Sequence, residues 1–313
     1  MFQTPVLFLV FNRPEETQKV FAQLQKLQPS KLYLAADGAR FHKEGELEKC
    51  NKVKEILSHI HWTCEVKQLY REQNLGCKVA VSEAINWFFE NESEGIILED
   101  DCLADLSFFH FCEIMLEKYR DNGQIFQICG VNFQNGIQRG QGSYYFSYLN
   151  HIWGWASWRR AWKHYDIEMK DFDKFKQNNS MAKIFELPLI QQYYLKELQK
   201  VYDNQLDTWD LQWTYSVWKH NGISIIPQVN LVTNIGFNMN ATHTTGIHST
   251  LANIPIQSFD ITNIIHPNQI VIQKDADTYT YFQYFHQSKA KIWYTKSRKW
   301  LRNQLISLKI IKK

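Results

Sequence analysis

Three consecutive carboxylates, Glu99-Asp100-Asp101, directly follow a short apolar run, Ile96-Ile97-Leu98. A run this short between a glycine and a polar cluster is typical of a buried strand. Ligands of open α/β sheets bind at the carboxyl ends of the strands, where these acids lie. A divalent cation carrying phosphates would neutralise them and use their oxygens as ligands. On these residues alone, the alternative is a solvated acidic turn into the next helix, with Asp105 as its N-cap.

The segments before and after this cluster predict alternating strands and helices. Short apolar runs predict strands over residues 6–11, 31–36, 64–70, 125–130 and 224–227, and amphipathic patterns predict helices over 43–60 and 109–119. Residues 132–147 have the composition of a loop. The alternation indicates an α/β fold with a mixed, mainly parallel sheet flanked by helices.

Several polar side chains stand at the predicted switches from strand to helix. Arg13 and Lys78 could bind phosphate oxygens there, and Asp37 could accept a hydrogen bond from a nucleobase or a ribose hydroxyl. Asp101 with a distant histidine could hold Mn²⁺, or Mg²⁺ if the ligands are oxygen alone. The sequence contains no dinucleotide-binding or P-loop glycine motif, which disfavours a Rossmann dehydrogenase or a P-loop NTPase.

Trp155, Trp158 and Trp162 fall at helical spacing, which favours core packing for the last two. Trp155 follows a glycine and is the better candidate to face a ligand. Further along, Asp207 is placed to cap the helix that follows it. Asp210, one turn in, has no such structural task and is a candidate for chemistry.

The composition restricts the class of protein. The six cysteines show no zinc-like or Cys-x-x-Cys spacing, which predicts reduced thiols in a cytosolic protein. No signal peptide and no apolar run long enough to span a membrane is found. Residues 286–313 carry nine Lys and Arg and no acid, whereas the whole chain has a net charge of only +3. This balance favours a tether over a nucleic-acid-binding domain.

The basic tail also has an apolar stripe, whose members are Trp293, Trp300, Leu301, Leu305 and Leu308. The pattern predicts an interfacial helix on anionic lipid. An exposed basic helix or a disordered end remains the alternative.

Four blocks in order resemble the metal-dependent nucleotide-sugar transferases of the GT-A fold, in particular those similar to N-acetylglucosaminyltransferase I. They are residues 5–13 (PVLFLVFNR), 97–101 (ILEDD) with the downstream Phe108-Phe109, 152–155 (IWGW) and 209–213 (WDLQW). The loop at 131–136 fits as well, and the resemblance covers roughly residues 4–245. The spacing also resembles bacterial transferases that act on surface polysaccharide.

The resemblance implies roles for individual residues. Asp101 would be the direct metal ligand, Asp100 would lie near the ribose, Arg13 would contact the pyrophosphate and Asp37 the uracil. Asp210 matches the catalytic base, with Asp207 as a weaker candidate, because here a leucine follows Asp210 where the family usually has a second acid. His243 would be a second metal contact, with His248 and His220 as alternatives. The donor-binding set comprises Phe11, Asn12, Arg13, Asp37, Gly38, Asn74, Lys78, Glu99, Asp100 and Trp155.

These expectations amount to a single GT-A domain at 1–285, with a nucleotide-sugar half at 1–105 and an acceptor half at 106–285, followed by the tail. The expected activity is inverting transfer from a nucleotide-diphosphate sugar, UDP-sugar favoured, to a glycan or lipid-linked saccharide. The expected location is the cytoplasm, with peripheral attachment to the inner face of the plasma membrane through the tail. A nucleotidyltransferase that makes nucleotide sugars and a non-catalytic sugar-binding protein remain the alternatives, although a nucleotidyltransferase should carry a glycine-rich, lysine-bearing loop near residue 12.

Overall fold

Ten strands and ten α-helices build the protein in a computed structural model that describes residues 1–237, 251 and 254–286. The strands are β1 (Val6–Val10), β2 (Lys31–Ala36), β3 (Glu65–Tyr70), β4 (Glu94–Glu99), β5 (Cys102–Ala104), β6 (Ile125–Cys129), β7 (Tyr144–Ser147), β8 (Trp155–Trp158), β9 (Ile223–Pro227) and β10 (Val232–Asn234). The helices are α1 (Pro14–Leu27), α2 (Glu46–Ser58), α3 (Gly76–Asn91), α4 (Leu106–Lys118), α5 (Arg159–Trp162), α6 (Phe172–Gln177), α7 (Met181–Ile184), α8 (Pro188–Tyr202), α9 (Asp210–Lys219) and α10 (Lys274–Thr280), and a π-helical turn (Tyr281–Phe285) follows α10.

Eight of the strands form one mixed sheet in the order β3-β2-β1-β4-β8-β6-β9-β7. The pairs β3–β2, β2–β1, β1–β4 and β6–β9 are parallel, and the pairs that involve β8 or β7 are antiparallel. Strands β5 and β10 pair separately. The predicted α/β class with a mainly parallel sheet is therefore confirmed.

Helices cover both faces of this sheet, which explains why its central strands are apolar throughout. Along β1, Val6, Phe8 and Val10 pack into one core cluster. Leu7 and Leu9 pack into a second cluster on the opposite face. Because both faces are buried, the strand reads as a continuous apolar run instead of an alternating one.

Two predicted elements differ from the structure. The segment predicted as a loop over 132–147 ends in the edge strand β7, and the helical spacing of Trp155 and Trp158 belongs to strand β8. Strand β8 lies between β4 and β6. Successive side chains of a strand point to opposite faces of the sheet, so Trp155 and Trp158, three positions apart, join different core clusters. Trp158 and Trp162 are buried, so their predicted packing role is confirmed.

Other predictions have mixed outcomes. The side chain of Asp105 accepts a hydrogen bond from the Ser107 amide and caps α4, as predicted. All six cysteines are free thiols. Within the described ranges, no helix combines the length and apolar character needed to cross a bilayer. His243, His248 and tail residues 287–313 lie outside the described residues, so the predictions on them are untested.

A buried carboxyl group anchors α10 to the sheet. Asp277 is 3% exposed, and it accepts hydrogen bonds from the Ser147 hydroxyl and, at 3.0 Å, from the Tyr148 amide. Burial raises the pKa of Asp277 to about 7, although both hydrogen bonds oppose the shift. The neighbouring Tyr145 and Tyr194 hydroxyls are buried beside this carboxyl group and remain neutral, because burial raises the pKa of both.

We expect Asp277 to make folding more favourable in acid. Its pKa is higher in the folded than in the unfolded chain, so its contribution is complete below about pH 4 and is lost as the pH rises through about 7. Across this pH range the unfolding free energy should fall by on the order of 4 kcal/mol because of Asp277. In Asp277→Asn this fall should be absent. Urea titrations of both proteins between about pH 4 and 8 measure the difference. Parallel profiles for the two proteins would contradict the assignment.

Candidate functional site

A cavity of about 590 Å³ opens at the carboxyl ends of β1, β2 and β4, beside the first turn of α3. A volume of this size suits a small-molecule ligand. Among the residues that line it are ten candidates from the sequence: Phe11, Asn12, Arg13, Asp37, Asn74, Glu99, Asp100, Asp101, Asp207 and Asp210. The fold thus brings together residues up to two hundred positions apart.

The guanidinium of Arg13 lies among the acids. Its Nη1 donates to Asp101 Oδ2 and, at 3.4 Å, to Asp100 Oδ1. The amide of Phe11 also donates to Asp100, over 3.0 Å. Asp100 and Asp101 are only 6% and 7% exposed, so this pairing replaces much of the hydration that the carboxylates lose.

Arg13 offsets only part of the negative charge that Glu99, Asp100 and Asp101 would carry together. Burial raises the pKa of Asp100 to about 7, against the opposing effect of Arg13. Burial, together with the charges of Asp101, Asp100 and Asp210, raises the pKa of Glu99 well above its usual value. No described residue donates a hydrogen bond to the Glu99 carboxyl group. The cluster can therefore accept further positive charge.

The donor set fits a hard divalent cation such as Mn²⁺ or Mg²⁺. Asp101 would hold it through a carboxylate oxygen. In the described part of the chain, no three His, Cys, Asp or Glu side chains converge as a complete metal site. Substrate phosphates commonly complete such a set around Mg²⁺. Gly236 packs on Asp101: a Cβ there would lie 2.3 Å from Asp101 Oδ2.

Asp37 holds the loop between β3 and α3. Its carboxylate accepts from the amides of Gly38, Leu75 and Gly76 over 2.9 to 3.2 Å, and from the Asn74 side chain over 2.9 Å. Burial raises its pKa, and the loop amides oppose that shift. Gly38 does not line the cavity; it lies against the backbone of this loop and has no space for a Cβ.

Besides Gly38, two predicted donor-binding residues, Lys78 and Trp155, lie outside the cavity. Lys78 Nζ donates to Asn204 over 3.1 Å instead of pointing towards a phosphate position. Trp155 is fully buried and stacks on Trp209, with 5.8 Å between ring centroids. The prediction that Trp155 faces the ligand is therefore wrong in this structure. Its strand directs the ring into the core, and Trp153 and Trp209 line the cavity instead.

Asp207 and Asp210 have different environments. The Asp207 carboxylate accepts from the amides of Cys77 and Lys78, both over 3.0 Å, at the start of α3. It does not cap α9, so that prediction is wrong; the loop before α9 reaches across to a helix distant in sequence. Asp210 is the first residue of α9, accepts from the Thr208 hydroxyl and lines the cavity.

The cavity contains residues that the sequence reasoning missed, among them Arg40, Arg71, Cys77, Trp153, Thr208 and Asn234. Arg40 lies 5.5 Å from the Phe11 ring centroid and binds Glu46. Glu46 also accepts from the Asn12 side chain over 2.8 Å, and so links the loops after β1 and β2. The position of Arg40, just beyond a predicted strand end, was the available signal.

The comparisons with known proteins give no family. No protein-family model and no curated protein matches the chain. Among solved structures, S. aureus TarS 1-349 is 10% identical over 74% of this chain and 59% of its own, with a TM-score of 0.39. Mouse xyloside xylosyltransferase 1 is 11% identical over 69% and 81%, with a TM-score of 0.33. An apo UDP-glucose pyrophosphorylase is 9% identical over 73% and 93%, with a TM-score of 0.35. Likenesses this distant carry no argument, so function is inferred from the cavity.

We expect Arg13 to compete with a divalent cation for the Asp101 carboxylate. Arg13→Met should bind Mn²⁺ without nucleotide about tenfold more tightly than the original protein, a difference of about 1.4 kcal/mol. Electron paramagnetic resonance of free Mn²⁺ measures the affinity. Arg71→Met, which removes a cavity arginine paired with Glu83, is the control. Equal Mn²⁺ affinity for Arg13→Met and the original protein would contradict the competition.

We also expect Asp207 to have a structural role. Asp207→Ala should lower the unfolding free energy by about 1 kcal/mol, because two amides at the start of α3 lose their acceptor. Asp210→Ala, three residues away, should cost clearly less. Urea denaturation compares the two variants, and an equal loss of stability would show that the capping contact contributes nothing particular.

Proposed function

We propose that this protein is a metal-dependent, inverting glycosyltransferase that uses a nucleotide-diphosphate sugar, with a UDP-sugar favoured, and transfers the sugar to a hydroxyl of a glycan acceptor. One observation carries the proposal: a single cavity joins Arg13 and the three acids to Asp210. A diphosphate anchor and a potential base beside one ligand-sized space are what such a transfer needs.

The donor would bind between the loops after β1 and β2. Arg13 would turn from the acids to the diphosphate, where a guanidinium pairs well with phosphate oxygens. Asp100 would accept from a ribose hydroxyl, and the loop held by Asp37 and Asn74 would face the nucleobase. The preference for uracil rests on the resemblance at Asp37, whose oxygens already serve this loop. A bound divalent cation would supply positive charge for the departing diphosphate.

Asp210 is the proposed catalytic base. One of its oxygens accepts from Thr208, and the carboxylate lines the cavity. It would take the proton from the acceptor hydroxyl while that oxygen attacks the anomeric carbon. Attack from the face opposite the leaving diphosphate inverts the configuration. Asp207 is less suited, because both its oxygens accept hydrogen bonds from α3 amides.

The proposed acceptor is a glycan or lipid-linked saccharide of surface polysaccharide biosynthesis. Its support is the resemblance of the motif spacing to bacterial transferases of that kind. The proposed location, the cytoplasm with the tail on the inner face of the plasma membrane, rests on the basic, tryptophan-containing sequence of residues 286–313.

Product analysis tests the reaction class. The full chain is incubated with Mn²⁺ and either a panel of UDP-sugars or UTP with sugar 1-phosphates. Release of UDP from a UDP-sugar supports the proposal. Diphosphate release from UTP would instead identify a nucleotidyltransferase. Saccharide binding without either reaction would identify a sugar-binding protein.

We expect Asp210→Asn to lower sugar transfer by about 10²–10⁴-fold, because the amide cannot accept the proton. Binding of UDP with Mn²⁺, measured by calorimetry, should change less than about twofold, since Asp210 is not a proposed donor ligand. Asp207→Asn is the matched control and should retain most of the turnover. Full turnover by Asp210→Asn would remove Asp210 from the mechanism.

A further inference from the structure

A second cavity, of about 450 Å³, lies at the other end of the sheet beside the edge strand β7. Four strand spacings separate β7 from β4, or roughly 19 Å at the usual distance between neighbours. None of its lining residues lines the first cavity. It is therefore a separate surface of the protein.

This edge groove is formed between β7 and residues 267–271, which follow the contact of His266 with the Tyr144 hydroxyl over 2.9 Å. The segment is tied to the strand at both ends, because the Ser143 amide donates to the Ile265 carbonyl over 2.7 Å and the Gln273 amide to the Phe146 carbonyl over 2.8 Å. Gly142 permits the close approach of Pro267, whose Cγ would lie 2.8 Å from a Cβ at that position. The backbone thus builds the groove between two anchored points.

The groove is rich in side-chain amides without internal partners. Four amide side chains line it and make no side-chain hydrogen bond within the described part of the chain: Gln141, Asn268, Gln269 and Gln273. Each offers both a donor and an acceptor. Pairs of donors and acceptors are suited to the hydroxyls of a sugar.

Arg139 gives the groove its charge. Its Nε donates to Gln134 over 2.7 Å and its guanidinium lies over the Tyr279 ring, but neither Nη atom has a hydrogen-bond partner among the described residues. No Asp or Glu lines the groove. His266 adds no charge near neutral pH, because burial lowers its pKa. The guanidinium is thus available to a carboxylate.

We propose that this edge groove binds an acidic saccharide unit, with Arg139 on its carboxylate and the four amides on its hydroxyls. The inference rests on the proposed function in one respect: the saccharide would belong to the acceptor glycan, held at a distance from the reacting hydroxyl. Such a second contact raises the effective concentration of the acceptor end at the donor cavity.

Saturation-transfer NMR on the full chain tests the groove without nucleotide or metal. The probes are glucuronic acid, galacturonic acid and N-acetylneuraminic acid, with glucose as the neutral comparison. At least one acidic probe should bind, and Arg139→Gln should weaken that binding at least tenfold. Gln269→Ala changes an exposed side chain and should weaken it several-fold without affecting folding. Arg120→Gln, which removes a surface arginine paired with Glu94, is the control and should bind as the original protein does.

The outcomes separate this groove from the proposed reaction. Arg139→Gln should release UDP from a UDP-sugar at the original rate, and Asp210→Asn should bind the acidic probe normally. Failure of every acidic probe to bind, equal binding by Arg139→Gln, or equally strong binding of glucose would overturn the proposal. If the unsubstituted protein binds an acidic probe but releases no UDP from any UDP-sugar, the proposed transferase activity is rejected and the proposed saccharide site in the groove stands.

Discussion

The pairing of Arg13 with Asp100 and Asp101 is the interaction on which the candidate site depends. Two adjacent carboxylates are buried just beyond the carboxyl end of β4, where the loss of hydration is costly without a cation. Arg13 supplies that cation from the neighbouring loop, and the Phe11 amide adds a hydrogen bond. Removing one partner of a buried ion pair typically costs about 3–5 kcal/mol. The Asp101 carboxylate is the group that the proposed metal would bind, so the folded protein holds this proposed ligand paired with Arg13.

Other carboxylates hold the walls of the cavity in place. Glu46 joins the loops after β1 and β2 through Asn12 and Arg40, and the Arg40 hydrogen bond lowers its pKa to about 2. Asp37 fastens the loop before α3, and Asp207 fastens the start of α3 to the segment before α9. Each of these acids accepts hydrogen bonds from groups that are distant in sequence. Asp210 differs, because its carboxylate accepts a hydrogen bond from the nearby Thr208 hydroxyl.

The sequence predicted the first half of the sheet well for a physical reason. Strands buried on both faces are continuous apolar runs, and the polar residues that follow them are drawn to one edge by parallel pairing. This reasoning located Arg13, Asp37 and the three acids in one cavity. It failed for Trp155 and Asp207, because spacing shows neither which strand inserts beside β4 nor which helix end a distant carboxylate reaches.

The sequence by itself determined the α/β class, the apolar strands and the residue types that gather at their carboxyl ends, since these follow from local periodicity and from parallel pairing. Tertiary structure decided which of the carboxylates that line the cavity also hold the backbone around it in place. Asp207 and Asp210 both line the cavity, but Asp207 accepts hydrogen bonds from two amides of α3, whereas Asp210 accepts one from the nearby Thr208 hydroxyl. The groove beside β7 was also decided at that level, because its two walls lie more than a hundred residues apart in the chain. The local sequence pattern does not predict such contacts, because they form between groups that only the folded chain brings together.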